Sequence, residues 1–368
     1  MYISNIIDFL ESWAPSWTIW ENDNCGLQVG DAKSKLTSLL ITLDVTNEVV
    51  NEAIKKKVQL IISHHPLIFR PIPNVTTESE TGKIILQLAK NNISLYTMHT
   101  NLDAAKDGVS FALARALDLK DIKFLSPLKN LLAKIVVYVP EDHSEKVIKA
   151  MANAGAGIIG EYSFCSYRTK GTGTFKGSAS TNPFLGKAER LESVEEVRLE
   201  MVAERSKIAG IISEMKRVHP YEEVAYDIYN VETPHSNYGM GAIGVLSKPQ
   251  KLHQFLLKVK RSLSSRLIKY NRVSEKLVQK VAVCGGSGST LINDAIKANA
   301  DVFITADIKY HTFQMVGNKI VLVDAGHWET ENVVIKWISK KIKDYAKIHG
   351  SNINVFISKQ STNPVFIT

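Results

Sequence analysis

Val58-Gln59-Leu60-Ile61-Ile62-Ser63-His64-His65-Pro66 is an apolar run that stops on two adjacent imidazoles. Its aliphatic residues, with no Pro or Gly among them, predict a buried strand over Val58 to Ile62. Ser38 to Leu43 and Ile93 to Tyr96 repeat the pattern, and helical periodicity marks Thr46 to Lys57, Glu80 to Asn91 and Gly108 to Leu117. The first 125 residues therefore predict an α/β domain with a mainly parallel sheet. Polar groups follow each strand: Asp44, then Ser63-His64-His65, then His99. Open α/β sheets place their functional crevice at the carboxyl ends of the strands, so these positions are the candidates for chemistry.

A second α/β block closes the chain, with strands expected at Lys280 to Cys284, Asp301 to Thr305 and Lys319 to Val323, and a long helix from His327 to Tyr345. The intervening segment has a different texture. Strand Ala133 to Val139, helix Ser144 to Gly155, the turn Gly155-Ala156-Gly157, strands Thr174 to Gly177 and Glu196 to Val202, helix Lys207 to Lys216 and strand Val224 to Val231 fit a ferredoxin-like βαβ-βαβ insertion. Gly171 to Gly186 is expected as its glycine-rich loop. The expected division is 1–130 and 233–368 for the two blocks and 131–232 for the insertion.

The 368 residues are 45% hydrophobic and 22% charged, which excludes disordered and collagen-like classes. No run approaches the roughly 18 to 20 apolar residues of a membrane span. Met1 to Trp13 carries Asp8 and Glu11 where a secretory signal would carry basic residues, so a cytoplasmic location is expected. The three cysteines, Cys25, Cys165 and Cys284, are too few for a four-thiolate zinc site and too scattered for a disulfide framework. The net charge of +8 is local: Lys248 to Lys280 holds ten Lys or Arg against Glu275 alone. Within it Leu252, Phe255, Leu256, Val259, Leu263 and Leu267 recur at helical spacing, with Lys258, Lys260, Arg261 and Arg266 between them. A docked helix with a solvated basic face and a face that meets polyanions are both consistent with this pattern.

His64 and His65 diverge from an extended backbone, so they reach one ion only with distortion but hold two neighbouring ions easily, one each. Alternatively they are ordinary turn histidines. Asp103, in Met98-His99-Thr100-Asn101-Leu102-Asp103, offers a hard oxygen ligand or a cap for the helix starting near Gly108, and His99 a further imidazole or an outer contact. His327 and Glu331 lie four apart at a helix start, on one face, as a ligand pair or an exposed polar pair. Three nitrogens and two carboxylates exceed a tetrahedral structural site and suffice for two ions if a carboxylate and water bridge them. Asp307 and His311 follow another strand end and are expected as outer partners or general acid/base groups, together with His99. Gly285-Gly286-Ser287-Gly288-Ser289-Thr290 is a βα turn or a phosphate cradle, but neither a dinucleotide fingerprint nor a P-loop. Cys284, at a buried strand end, reads as packing more than as a nucleophile.

Trp20 to Gly30 (WENDNCGLQVG), Ser63 to Pro66, His99 to Asp103, Cys284 to Gly288, Thr305 to His311 and Asp324 to Glu331 (DAGHWETE), in this order, resemble the dinuclear-metal Nif-three-like family, whose members are called GTP cyclohydrolase I type 2 homologues. The resemblance implies that His64, His65, Asp103, His327 and Glu331 hold two divalent ions, with Glu331 bridging. Zinc leads, with iron or manganese as alternatives. Ala306 stands where the family is expected to have Gly. The middle segment is similar to the PII- and CutA-like insertion of long bacterial members, marked by Val218-His219-Pro220-Tyr221-Glu222-Glu223-Val224; His219 with Glu222 there is a further metal pair or a turn leading into a strand. The resemblance also implies a homohexameric ring whose opening the insertion covers. The function expected is a metal-dependent hydrolase acting on a nucleotide or other phosphorylated small molecule, with a metal-bound hydroxide as nucleophile. The alternative is a ring-shaped regulatory or nucleic-acid-binding protein that stores or senses metal.

Overall fold

The computed structural model describes residues 1–271 and 274–368, so Arg272 of the basic segment lies outside the described residues. The chain forms two compact units, Met1–Ser126 with Asn237–Thr368, and Pro127–Ser236. The larger unit carries two sheets. The first has five strands in the order Gly26–Val29, Ser94–Thr97, Leu60–Ser63, Ser38–Thr42 and Asn354–Ile357. All its neighbours are parallel except the antiparallel first pair. The second runs Lys269–Tyr270, Val321–Asp324, Val302–Thr305, Leu277–Val283, Gly239–Lys251 and Lys120–Pro127. Its inner strands pair in parallel, as Val302 with Val281 and with Val321. Strands buried along their whole length read as unbroken aliphatic runs, which is why SLLIT, LIIS, VFIT and VLVD were recognisable.

Helices Val109–Ala116 and Val333–Ile348 pack between these sheets. Phe111 and Leu113 join the core of the second sheet, whereas Val109 and Ala112 join that of the first, along with Val334, Ile335, Ile338 and Ile342. The last strand, Asn354–Ile357, returns from the chain's end to pair with Ser38–Thr42, so both halves of the sequence build one unit. Its pattern is half-exposed and short, and the sequence does not announce it. The helix expected from His327 to Tyr345 divides into His327–Glu331 and Val333–Ile348; Asn332 keeps helical angles at the join.

Among the described residues of the basic segment only Leu252–Ser262 is helical, and Leu267 lies beyond it with 47% of its surface exposed. Lys258 pairs with Asp118, Lys269 with Asp324 and Lys276 with Asp301, and Lys280 donates to Ala298 O. Part of the local surplus is thus paired, and the segment is spread over strand, helix and strand.

The smaller unit has four antiparallel strands in the order Tyr167–Lys176, Leu191–Glu204, Leu132–Pro140 and Tyr226–Val231, with helices Ser144–Asn153 and Ile208–Val218 packed on one core. The expectation of a loop from Gly171 to Gly186 fails at Gly171 to Gly173, which belong to the edge strand Tyr167–Lys176, as do Thr174 to Lys176 of the strand expected there. An edge strand bonded on one side tolerates glycine that a central strand would not. His219 is a fastener: one ring nitrogen lies 3.0 Å from Tyr138 O and the other accepts the Tyr221 N–H at 3.1 Å, leaving neither for a metal.

Asp107, at φ 66°, pairs with Arg115 of the helix that follows it and, at 3.5 Å, with Lys341 of the long helix. Burial opposes its charge, but the hydrogen bond and charge of Arg115, with Lys341, outweigh it and depress the pKa below 3.8. A depressed carboxylate contributes stability above the unfolded-state value that is lost as pH falls through the folded one. Partial exposure limits this to about 1 kcal/mol. Asp107→Asn is expected to lower urea stability by that amount at pH 7, and the gap from the wild type should close below pH about 4. A gap unchanged at low pH would contradict the assignment.

Candidate metal centre

The two sheets of the larger unit bring their strand ends to one place. From the first sheet, Leu60–Ser63 ends in His64 and His65, and Ser94–Thr97 leads through Met98 to His99 and the short helix Thr100–Ala104, which carries Asp103. From the second, Val321–Asp324 leads through Gly326, at φ 95°, into the helix with His327 and Glu331. One ring nitrogen each of His64, His65 and His99 fall within 4.8 Å of one another, as do donor atoms of His65, His327 and Glu331.

Each of the four histidines has its Nδ1 against an oxygen. His64 Nδ1 lies 2.8 Å from Met98 O, His65 Nδ1 2.7 Å from Asp44 Oδ1, His99 Nδ1 2.8 Å from Asp23 Oδ1 and His327 Nδ1 2.6 Å from Asp307 Oδ2. An oxygen acceptor requires the proton on Nδ1, which leaves Nε2 as the lone pair of a neutral ring; this is how metal-ligating histidines are oriented. For three of them the direction of Nε2 is set by Glu331. His64 Nε2 stands 3.8 Å from Glu331 Oε1 and 3.8 Å from Asp103 Oδ1. His65 Nε2 and His327 Nε2 stand 2.9 Å and 3.2 Å from Glu331 Oε2.

These contacts are not ordinary hydrogen bonds. His64 Nε2 and Glu331 Oε2 are both buried and neither has a hydrogen-bond partner of acceptable alignment. Lone pairs facing carboxylate oxygens in a buried site need a cation between them. With protons as the only cations, His64 is drawn down by burial but raised overall by Glu331 and Asp103. His65 is likewise opposed by burial, yet Asp44 and Glu331 push it up to about 10; His327 rises to about 9, chiefly through Glu331. Glu331 is held well below the usual range by the three rings despite its burial. Asp103 is pushed up to about 7 by desolvation, while 20% of its side chain stays open to the neighbouring cavity. Divalent ions would replace such protons, so the donor set fits a metal site.

Several supports were not assigned a role from the sequence. Asp23 accepts from Thr100 Oγ1 at 2.6 Å as well as from His99, and these bonds outweigh burial to bring it down to about 2. Asp44 is held in turn by Thr362, whose Oγ1 lies 2.5 Å from Asp44 Oδ2 and accepts the Trp328 Nε1–H at 3.1 Å. Gly286, at φ 58°, passes so close that a Cβ there would fall 2.1 Å from Glu331 Oε1 and 3.2 Å from His327 Nε2. Only glycine fits beside the cluster.

Three backbone N–H groups of the glycine turn are already engaged. The N–H groups of Gly285, Gly286 and Gly288 go to the hydroxyls of Ser110, Thr330 and Thr305. Cys284 is buried and raised to about 12 by desolvation, so it is no thiolate. Asp103 does not cap the helix at Gly108, which has no side-chain cap. Glu331, 4% exposed, is not half of a surface pair. His311 sits exposed on helix Tyr310–Val316 against Tyr310 and is outside both donor groups. Ala306 is buried and donates its N–H to Gly286 O at 2.8 Å, so the methyl group is accommodated. A cavity of about 1020 Å³ opens on the cluster, with Asp103, His99, His327 and Glu331 and also Trp20, Phe69 and Arg70 in its wall.

Thr362→Val keeps the volume but removes the hydroxyl that steadies Asp44 behind His65. Competition with a chromophoric chelator should show divalent-metal affinity reduced by up to about tenfold, with Thr362→Ser restoring it. Unchanged affinity in Thr362→Val would remove this residue from the support of the site.

The sequence pattern of the Duf34/NIF3 family (NGG1p interacting factor 3) matches residues 1–364. A Bacillus subtilis protein named GTP cyclohydrolase 1 type 2 homolog is 39% identical over 363 residues, 98% of this chain and 96% of the relative. A crystal structure of a Bacillus cereus protein related to NIF3 aligns with a TM-score of 0.84 at 39% identity, covering 100% of this chain and 99% of its own. A Staphylococcus aureus crystal structure aligns with a TM-score of 0.84 at 29% identity over 100% and 99% of the two chains. With the match running through every element that positions the His/Glu cluster, this chain belongs to the Duf34/NIF3 family.

Proposed function

We propose that the chain is a dinuclear metal-dependent hydrolase acting on a nucleotide or a similar phosphorylated anion. The observation that carries this reading is the division of one carboxylate: Glu331 Oε1 faces His64, and Glu331 Oε2 faces His65 and His327. His64 with Asp103 forms one half of the site and His65 with His327 the other, bridged by Glu331. Two divalent ions, zinc first and iron or manganese next, would supply Lewis-acid activation of water at neutral pH. In this assignment Asp44 and Asp307 orient His65 and His327. His99, fixed by Asp23, sits beside the first half with a lone pair available to a substrate proton. His311, outside the cluster, is left out.

The cavity supports the substrate class. Arg70 is the one Lys or Arg among its lining residues, and Trp20 and Phe69 offer flat apolar faces beside it. An anion at Arg70 and a planar ring against the aromatics would set a nucleotide with its reacting part toward Asp103 and Glu331. The strand order of residues 127–236 supports reading them as a ferredoxin-like, PII- or CutA-like insertion. The homohexamer rests on family resemblance and the cytoplasmic location on the acidic residues Asp8 and Glu11 near the start of the chain; no helix among the described residues is long and apolar enough to cross a membrane. Ion pairs of Lys258, Lys269 and Lys276 reduce the basic surface that the nucleic-acid alternative needs, and Lys260, Arg261 and Arg266 remain exposed.

Protein purified without added metal should contain about two divalent ions per chain by elemental analysis. In a screen of nucleotides and phosphoesters it should turn over at least one, GTP being the first to try. The double variant His65→Ala, Glu331→Ala should lose both the metal and the turnover. Turnover retained by the metal-free double variant would overturn the proposal.

A further inference from the structure

Residues 127–236 enclose a cavity of their own, of about 360 Å³, between the edge strand at Gly173 to Gly177, the stretch around Phe184 and the Tyr221–Ala225 connection. That volume lies at the small end of small-molecule sites. Four aromatic residues, Tyr138, Phe175, Phe184 and Tyr221, are among those that line it. The Tyr221 ring is 6.5 Å from Phe175 and 6.3 Å from Phe184, inclined at 53° and 49°. At these separations and tilts neither pair stacks; His143 meets Phe184 at 5.4 Å and His219 meets Tyr221 at 5.1 Å in T-shaped contacts.

The charge in the wall is negative. Glu196 reaches the cavity with Oε1 accepting the Tyr221 hydroxyl at 2.8 Å. A Cβ on Gly173 would fall 2.1 Å from Glu196 Oε2, so the glycine makes room for this carboxylate. Among the described residues no Lys, Arg or His forms an ion pair with Glu196. Glu222 and Glu223 also line the cavity, against Lys176 as its one cationic lining residue. Aromatic faces carry negative quadrupoles, and with a half-buried carboxylate beside them they complement a positive charge. An anion would meet like charge, and an uncharged guest would strip water from Glu196 without replacing it.

We infer that this cavity is a binding site for a small organic cation, an alkylammonium or quaternary ammonium compound, held over Phe175, Phe184 and Tyr221 with Glu196 as its counter-ion. The rings bind the alkyl groups through their faces and the carboxylate fixes the charged end. Tyr221 acts twice, since its hydroxyl bond to Glu196 sets the carboxylate while its ring forms a wall.

The test is calorimetric titration of the full-length protein with choline, and with 3,3-dimethylbutan-1-ol as its uncharged isostere. Choline should bind saturably and at least about tenfold more tightly than the isostere. Glu196→Gln, which preserves shape and can still accept from Tyr221, and Phe184→Ala, at a half-exposed position, should each weaken choline at least about fivefold with the melting temperature unchanged. Equal binding of the isostere, indifference to Glu196→Gln, saturable binding of inorganic phosphate in place of choline, or no saturable binding of choline would overturn the inference.

Discussion

Everything around the cluster serves to keep three Nε2 atoms aimed at the two oxygens of Glu331. Four Nδ1 contacts fix the histidine rings before any ion arrives, through Met98 O, Asp44, Asp23 and Asp307. The arrangement concentrates lone pairs and negative charge in a buried place, which costs free energy unless a cation is present. Protons supply part of that need and shift the titration of His65, His327 and Asp103 accordingly. A metal site built this way binds by exchange of protons for ions, not by folding around the metal.

The fold explains why such a place exists. His64 and His65 come from one sheet and Glu331 and His327 from the other, while helices Val109–Ala116 and Val333–Ile348 fill the space between the sheets. Asn354–Ile357, pairing with Ser38–Thr42, ties the chain's end back to the first sheet and brings Thr362 behind Asp44. The division of the sequence into blocks therefore does not correspond to a division of the site.

The legible parts were those in which chemistry and local pattern coincide. SLLIT and LIIS declare buried strands, and His64-His65 or His327 with Glu331 declare donors at their ends. Supports joined only in three dimensions were not legible: Thr362 and Asp44 are 318 residues apart, and Asp23 meets His99 across 76. Gly286 was visible as part of a glycine turn, but its close approach to Glu331 was not. Edge position and ion pairing depend on neighbours that composition does not reveal, which is why Gly171 to Gly173 join a strand and the basic helix ends at Ser262.

The central claim is that Glu331 divides its two oxygens between two metal positions. Anomalous diffraction from crystals of the metal-loaded protein, recorded on both sides of the metal's absorption edge, locates ions without reference to activity. Two peaks per chain roughly 3.5 to 4 Å apart, one beside His64 and Asp103 and the other beside His65 and His327, are the predicted result. A single peak, or peaks away from Glu331, would contradict it.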